Sequence, residues 1–202
     1  MRTITTISEG YKEICDLTNP YMPKDLIRKQ IDKKEFANFG TKDFNWFCHQ
    51  MLKNILDEIK KMEHEDIIFQ IDSDVIINSP IEWFEEQMKD NDMMFQNDGG
   101  TPCLGFFMVR VNDKTLKVMQ EVYDNQTEYE NFQETFNRLT FDIKYDMFDT
   151  KDVWNYGVLN KGIWSGEDFT FPEGIKAFHA NFTIGLENKK KLLNKFIHSL
   201  HN

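Results

Sequence analysis

Asp66-Ile-Ile-Phe-Gln-Ile-Asp-Ser-Asp-Val-Ile-Ile77 is the stretch whose reading decides the fold. Apolar and β-branched residues fill both of its pleat faces, which predicts a central strand covered on both sides of a sheet. Asp72 and Asp74 interrupt it at i and i+2, a spacing that projects both carboxylates to one side. Burying two like charges there without a cation costs several kcal/mol. A divalent ion removes that cost, and hard oxygen ligands suit Mg²⁺ or Mn²⁺ carrying phosphate oxygens. The alternative is a solvated turn whose aspartates cap backbone N–H groups. The flanking Ile67, Ile68, Phe69, Ile71, Val75, Ile76 and Ile77 weigh against it.

Working outward, Ile4 to Ile7 reads as a short strand running through Ser8-Glu9-Gly10 into a helix over Tyr11 to Leu17. Asn19 to Gly40, punctuated by Pro20 and Pro23, reads as irregular. From Asp43, residues Phe44, Phe47, Met51, Leu52, Ile55, Leu56 and Ile59 recur at helical spacing and predict a long amphipathic helix. Beyond the central strand, Ser79 reads as N-cap and Pro80 as first helical residue, with Glu82 completing a capping box on a helix to about Lys89. Strands are expected over 92–96, 103–111, 141–148 and 175–182, and helices over 113–124, 128–139 and 187–200. This alternation predicts an α/β layered fold with a mixed central sheet flanked by helices, in one domain over 1–202.

Composition narrows the partners. The 202 residues carry 24 Lys+Arg against 34 Asp+Glu, a formal net charge of -10 that repels a polyphosphate backbone, so nucleic acid is not an expected partner. Cys15, Cys48 and Cys103 are odd in number and lack CxxC spacing, as expected of thiols in a reducing cytoplasm. No signal-peptide pattern and no transmembrane segment is read, so the Asn125 and Asn181 sequons are taken as chance.

Other residues offer chemistry. His179, in Ala177-Phe-His-Ala-Asn181, reads either as a satisfied core histidine or as a third metal ligand. Lys189-Lys190-Lys191 reads either as a solvated face or, because cations are disfavoured at the start of a helix, as the holder of an anion. Gln96 and Asp98 precede a Gly-Gly turn, where they either shape the turn or bond donor hydroxyls. Asp152, Trp154 and Asn155 form a polar and aromatic cluster able to contact a sugar, although an indole is more often core.

Together, Ile71-Asp-Ser-Asp-Val75, Phe95-Gln-Asn-Asp-Gly99, Gly105-Phe-Phe-Met-Val-Arg110 and Phe178-His-Ala-Asn-Phe-Thr-Ile-Gly-Leu-Glu-Asn-Lys189 resemble the GT-A fold glycosyltransferases. The likeness runs over nearly the whole chain and is strongest to the nucleotide-diphospho-sugar transferase group. The resemblance implies transfer of a sugar from a nucleoside diphosphate donor, UDP being expected, to a hydroxyl of a carbohydrate or glycan acceptor. It implies Mn²⁺ or Mg²⁺ as cofactor, with Asp72, Asp74 and His179 as ligands. It also implies Gly185 and Lys189 at the diphosphate, with Thr5, Thr6, Ser8 and Tyr11 at the base and ribose. Catalytic roles fall to Asp98, Gln133 and Lys189, and sugar binding to Gln96, Asp98, Asp152 and Asn155. Where relatives carry an Asp-Gln pair, this chain reads Glu130-Asn-Phe-Gln133, keeping only the glutamine.

Two competing readings share part of the pattern. Haloacid-dehalogenase-like phosphatases use Asp-x-Asp after an apolar strand, which would make Asp72 a nucleophile, but that motif normally opens its domain. A non-catalytic carbohydrate-binding domain would keep the fold without turnover. On the transferase reading, retention of anomeric configuration is expected by resemblance. Asp74→Ala is expected to leave the fold intact by relieving carboxylate repulsion.

Overall fold

The computed structural model describes residues 1–201. In chain order the elements are β1 (Arg2–Ile7), α1 (Lys12–Thr18), β2 (Ile27–Gln30), α2 (Lys42–Ile59), β3 (Ile67–Ile71), β4 (Val75–Ile77) and α3 (Ile81–Met88). They continue with β5 (Met93–Asn97), β6 (Pro102–Arg110), α4 (Asp113–Asn125), α5 (Phe132–Arg138), β7 (Tyr145–Met147), β8 (Val153–Asn155), β9 (Ala177–His179) and α6 (Leu186–Ser199). The expected mixed sheet is present, in the order β2-β1-β3-β6-β5-β7, with β6 antiparallel to both its neighbours. A second sheet, β4-β9-β8, stands beside it.

The apolar strands alternate between two covered faces. Ile68, Phe95 and Phe107 pack with Leu52 and Ile55 of α2, Met119 of α4 and Phe136 of α5. Their neighbours Phe69, Met94 and Phe106 face the other way, onto Phe84 and Met88 of α3. A third cluster joins the small sheet to α1 and α6 through Ile14, Ile76, Trp154, Phe178, Leu193 and Phe196.

Several boundaries differ from the sequence reading, each for a local reason. The 66–77 stretch is two strands: β3 stays in the large sheet, while β4 leaves it to pair antiparallel with β9. The turn between them, closed by Val75 N donating to Asp72 O at 3.2 Å, contains Asp72-Ser73-Asp74. Ser79 does not cap α3, because Pro80 is itself extended (φ -54, ψ 140) and holds the N-cap position. The irregular 19–40 stretch hides β2, which runs parallel to β1 at the sheet edge with half its residues exposed. Strands expected over 141–148 and 175–182 shrink to β7 and β9, and Val153–Asn155, for which no strand is expected, is one. α5 begins at Phe132 because Asn131 and Glu134 form a reciprocal capping box.

One irregularity shapes the centre. Phe95 opposes Phe107, but Gln96 opposes Cys103, so β6 bulges through Leu104-Gly105-Phe106. Bulges break the pleat alternation and re-aim side chains, and this one lies beside the Asp72 turn.

Candidate active site

Three elements converge at that turn. β3 ends at Ile71 and delivers Asp72, whose backbone N–H donates to Gly105 O at 2.7 Å. Asp74 opens β4, and the pairing of Val75 with His179 brings the imidazole alongside. His179 Nε2 lies 3.3 Å from Asp74 Oδ1 and 3.9 Å from Asp72 Oδ2. One ligand atom from each of the three residues lies within 4.8 Å of the other two. Gly105 faces this triad without a side chain: a Cβ there would strike Asp72 Oδ2 and come within 2.7 Å of His179 Cε1. Gln70 Nε2 donates to Asp72 Oδ1 at 3.1 Å, orienting the carboxylate.

The two aspartates differ in their charge environments. Burial, followed by the charge of Asp74, pushes the Asp72 carboxyl up to about 7. Burial also opposes ionisation of Asp74, but Lys189 and then His179 outweigh it and hold that carboxyl well below the usual range. Lys189 Nζ pairs with Asp74 Oδ2 and donates to Ala180 O at 2.8 Å. This corrects the expectation that Asp74→Ala leaves the fold untroubled, because removing one partner of a buried pair strands the other charge. Relief of repulsion belongs to substitution of Asp72. The lysine run divides accordingly: Lys189 turns inward, while Lys190 pairs with Glu13 and Glu187.

The triad opens into a cavity of about 380 Å³. Of the expected site residues, Asp72, Asp74, His179, Gly185 and Lys189 line it around the triad. Thr6 and Tyr11 line it on the β1 side, and Asp98 and Gln133 on the side opposite. The Tyr11 ring lies between Phe36 (4.6 Å) and Phe47 (5.0 Å), and its hydroxyl donates to Ala37 O at 2.8 Å. Asp98 accepts from three amides: Gln133 Nε2 at 3.2 Å, Asn181 Nδ2 at 3.0 Å and Asn155 Nδ2 at 3.4 Å. Gln133 Oε1 in turn accepts from Leu104 N in the bulge at 3.0 Å.

Five expected residues fall outside the cavity wall. Thr5 points to the other side of β1, toward a small space beside Ser73, as strand alternation from Thr6 requires. Ser8 is buried with its hydroxyl unpartnered among the described residues. Gln96 is fully buried behind His179, and Asn155 is fully buried behind Asp98. Asp152 precedes β8, where its carbonyl accepts from Lys176 N and Ala177 N. Trp154 is core, packed on Phe169, Phe171 and Phe178. Sequence reasoning gave no role to Gly105 or Gln70, nor to Asn181 beyond its sequon. The signal for Gly105 was a glycine inside an apolar strand, which marks a bulge or a close approach.

Comparison with known proteins gives the family of the chain and its fold. A sequence model described as nucleotide-diphospho-sugar transferase matches residues 4–193. The chain belongs to the nucleotide-diphospho-sugar transferase family. No curated protein matches it. Among solved structures it is similar to a glycosyltransferase involved in glycosylation of the major capsid of PBCV-1. That match has 13% identity and a TM-score of 0.58, covering 96% of this chain and 100% of that one. It is also similar to the galactosyltransferase LgtC, solved with donor and acceptor sugar analogs, at 9% identity and TM-score 0.53, with 96% of each chain covered. Mouse xyloside xylosyltransferase 1 gives 8% identity and TM-score 0.51, over 89% of this chain and 97% of that one. At these identities the likeness is one of fold, the GT-A fold. The dehalogenase-like phosphatase reading is thereby set aside.

The residues present fit a divalent ion in this nucleotide-diphospho-sugar transferase. Two carboxylates and an imidazole nitrogen converge around a position that the missing Gly105 side chain leaves open. Lys189 adds fixed positive charge at the same edge of the cavity. Among the described residues no helix is long and apolar enough to cross a membrane.

Proposed function

We propose that this chain transfers a sugar from a UDP-sugar donor to a hydroxyl of a carbohydrate or glycan acceptor, with retention of configuration. Asp72, Asp74 and His179 would hold Mn²⁺ or Mg²⁺, and the imidazole favours Mn²⁺. Convergence of these three groups beside Lys189, at the wall of one cavity in a family member, is the observation that supports the reading. The bound ion supplies Lewis-acid neutralisation of charge on the departing diphosphate. Lys189, anchored on Ala180 O, directs its charge to the same place, and Gly185 (φ 85) lets the backbone approach closely before α6. Asp98, oriented by three amides, would receive donor hydroxyls, with Asn181 Oδ1, unpartnered among the described residues, as a second acceptor.

The proposal of retention rests on the carboxylates. Inversion needs a base opposite the leaving group. Outside the triad, the carboxylates lining the cavity are Asp98 and Glu134. Asp98 would be taken up by its three amides together with the donor hydroxyls, and Glu134 accepts from Asn131 N at 2.9 Å in the cap of α5. The departing diphosphate can itself take the acceptor proton on the same face. The donor as UDP, the single domain over 1–202 and a cytoplasmic location belong to the same proposal. The three cysteines, all free, fit that compartment.

Two measurements test it. UDP is expected to raise the melting temperature in the presence of Mn²⁺ and much less in EDTA, by linkage of ligand binding to the native state. A larger rise with GDP would overturn the base, and full donor turnover in EDTA would overturn the metal. With an α-linked donor, NMR of the product should show an α linkage. A β-linked product, together with loss of turnover in Asp98→Asn, would make the enzyme inverting and Asp98 its base.

A further inference from the structure

His179 turns Nε2 to the two aspartates and Nδ1 to a single buried side chain, Gln96. Nδ1 lies 2.6 Å from Gln96 Oε1, with His179 3% exposed and Gln96 fully buried. We propose that Gln96 is a positioning residue. By accepting from Nδ1–H it keeps the proton on that nitrogen, so that Nε2 is the atom left to face Asp72 and Asp74 and to meet a cation. The proposal rests on the metal-dependent reading above for its consequence, but not for the Nδ1 proton itself.

Two observations support it. Gln96 lies opposite the β6 bulge and on the same side of β5 as Met94, the face where Ala177 of β9 packs, so strand alternation aims both Gln96 and His179 into that layer. His179 is confined, because it pairs with Val75 across β4 and packs against Gly105, so Nδ1 keeps Gln96 as its neighbour. In the metal-free protein a proton on Nε2 can be given to Asp74 at 3.3 Å, and a cation would take that proton's place while Nδ1–H stays on Gln96. A ligating histidine whose other nitrogen is held by an oxygen acceptor has its orientation and basicity fixed, and loss of that acceptor costs roughly 10–100-fold in metal affinity.

The experiment uses the metal-free protein first. Long-range ¹H–¹⁵N NMR of ¹⁵N-histidine-labelled protein should show His179 carrying a proton on Nδ1, with Nε2 the nitrogen that loses its proton when diamagnetic Mg²⁺ is added. Gln96→Met keeps the bulk but removes the acceptor. It should abolish that preference and weaken Mn²⁺ binding, read by electron paramagnetic resonance, roughly 10–100-fold. Gln96→Glu can still accept and should retain the Nδ1 proton with equal or tighter Mn²⁺ binding. A wild-type Nδ1 without a proton, wild-type Mn²⁺ affinity in Gln96→Met, or a Gln96→Glu variant as weak as Gln96→Met would each overturn the proposal. Should Gln96→Met fail to fold, the wild-type spectrum and Gln96→Glu still decide. If the wild-type protein binds no Mn²⁺ at all, the metal reading fails while the spectrum still judges Gln96.

Discussion

Asp72→Asn should lower Mn²⁺-dependent donor turnover by roughly 10³-fold, about 4 kcal/mol of lost transition-state stabilisation, without lowering the melting temperature of the metal-free protein. The side chain keeps its shape and an oxygen for Gln70 Nε2, now 3.1 Å away, but loses the charge that a hard cation needs. Stability is spared because burial and Asp74 already push the Asp72 carboxyl up to about 7, so its ionised form is a burden on the fold. The sign follows directly. Below that value an incoming ion must displace a proton, so Mn²⁺ affinity rises as pH rises through about 7 and then levels. In the asparagine variant this slope should flatten, because the Asp72 proton no longer contributes to it. Released UDP, Mn²⁺ titration across pH and thermal denaturation measure the three effects. Turnover within about tenfold of wild type would remove Asp72 from the metal site. Asp74→Ala offers the contrast: it should lower the melting temperature as well, because Lys189 and His179 lose the charge they surround.

Gly105→Ala adds one methyl group and should weaken Mn²⁺ binding roughly 100-fold while leaving the far-ultraviolet circular dichroism unchanged. The new Cβ meets Asp72 Oδ2 and lies 2.7 Å from His179 Cε1, closer than carbon atoms can pack. His179 is held by Gln96 and by its strand and has nowhere to go. The Asp72 side chain, 28% exposed against 3% for His179, must swing toward the cavity and leave the triad. Mn²⁺ titration of the variant at wild-type affinity would show that Gly105 does not shape the site.

Much of the architecture was legible because it is written in local periodicity. The helical spacing from Phe44 to Ile59 anticipated α2, and the apolar run around the two aspartates anticipated a strand buried on both faces. The edge strand β2 escaped, because Arg28-Lys29-Gln30 carries no apolar alternation and owes its conformation to β1 beside it. The polar residues near the site were harder. Asp98 and Gln133 each read as catalytic only by resemblance, and it is the capping of α5 that brings them within 3.2 Å. Gln96 and Asn155 read as sugar-facing, yet both stand behind the residues that line the cavity.

By itself the sequence determined the α/β class, the carboxylate pair at the end of a core strand, and the late histidine and lysine, through patterns of two or three residues and their spacing. Only the tertiary structure decided that Asp72 and Asp74 sit on a corner between two sheets and that His179 reaches them through β9. It alone showed that Lys189 and not Lys190 faces them, and that Gly105 makes the room. The division has a physical cause: hydrophobic periodicity is a property of neighbours along the chain, whereas a metal site is a property of atoms within a few ångströms that the chain separates by a hundred residues.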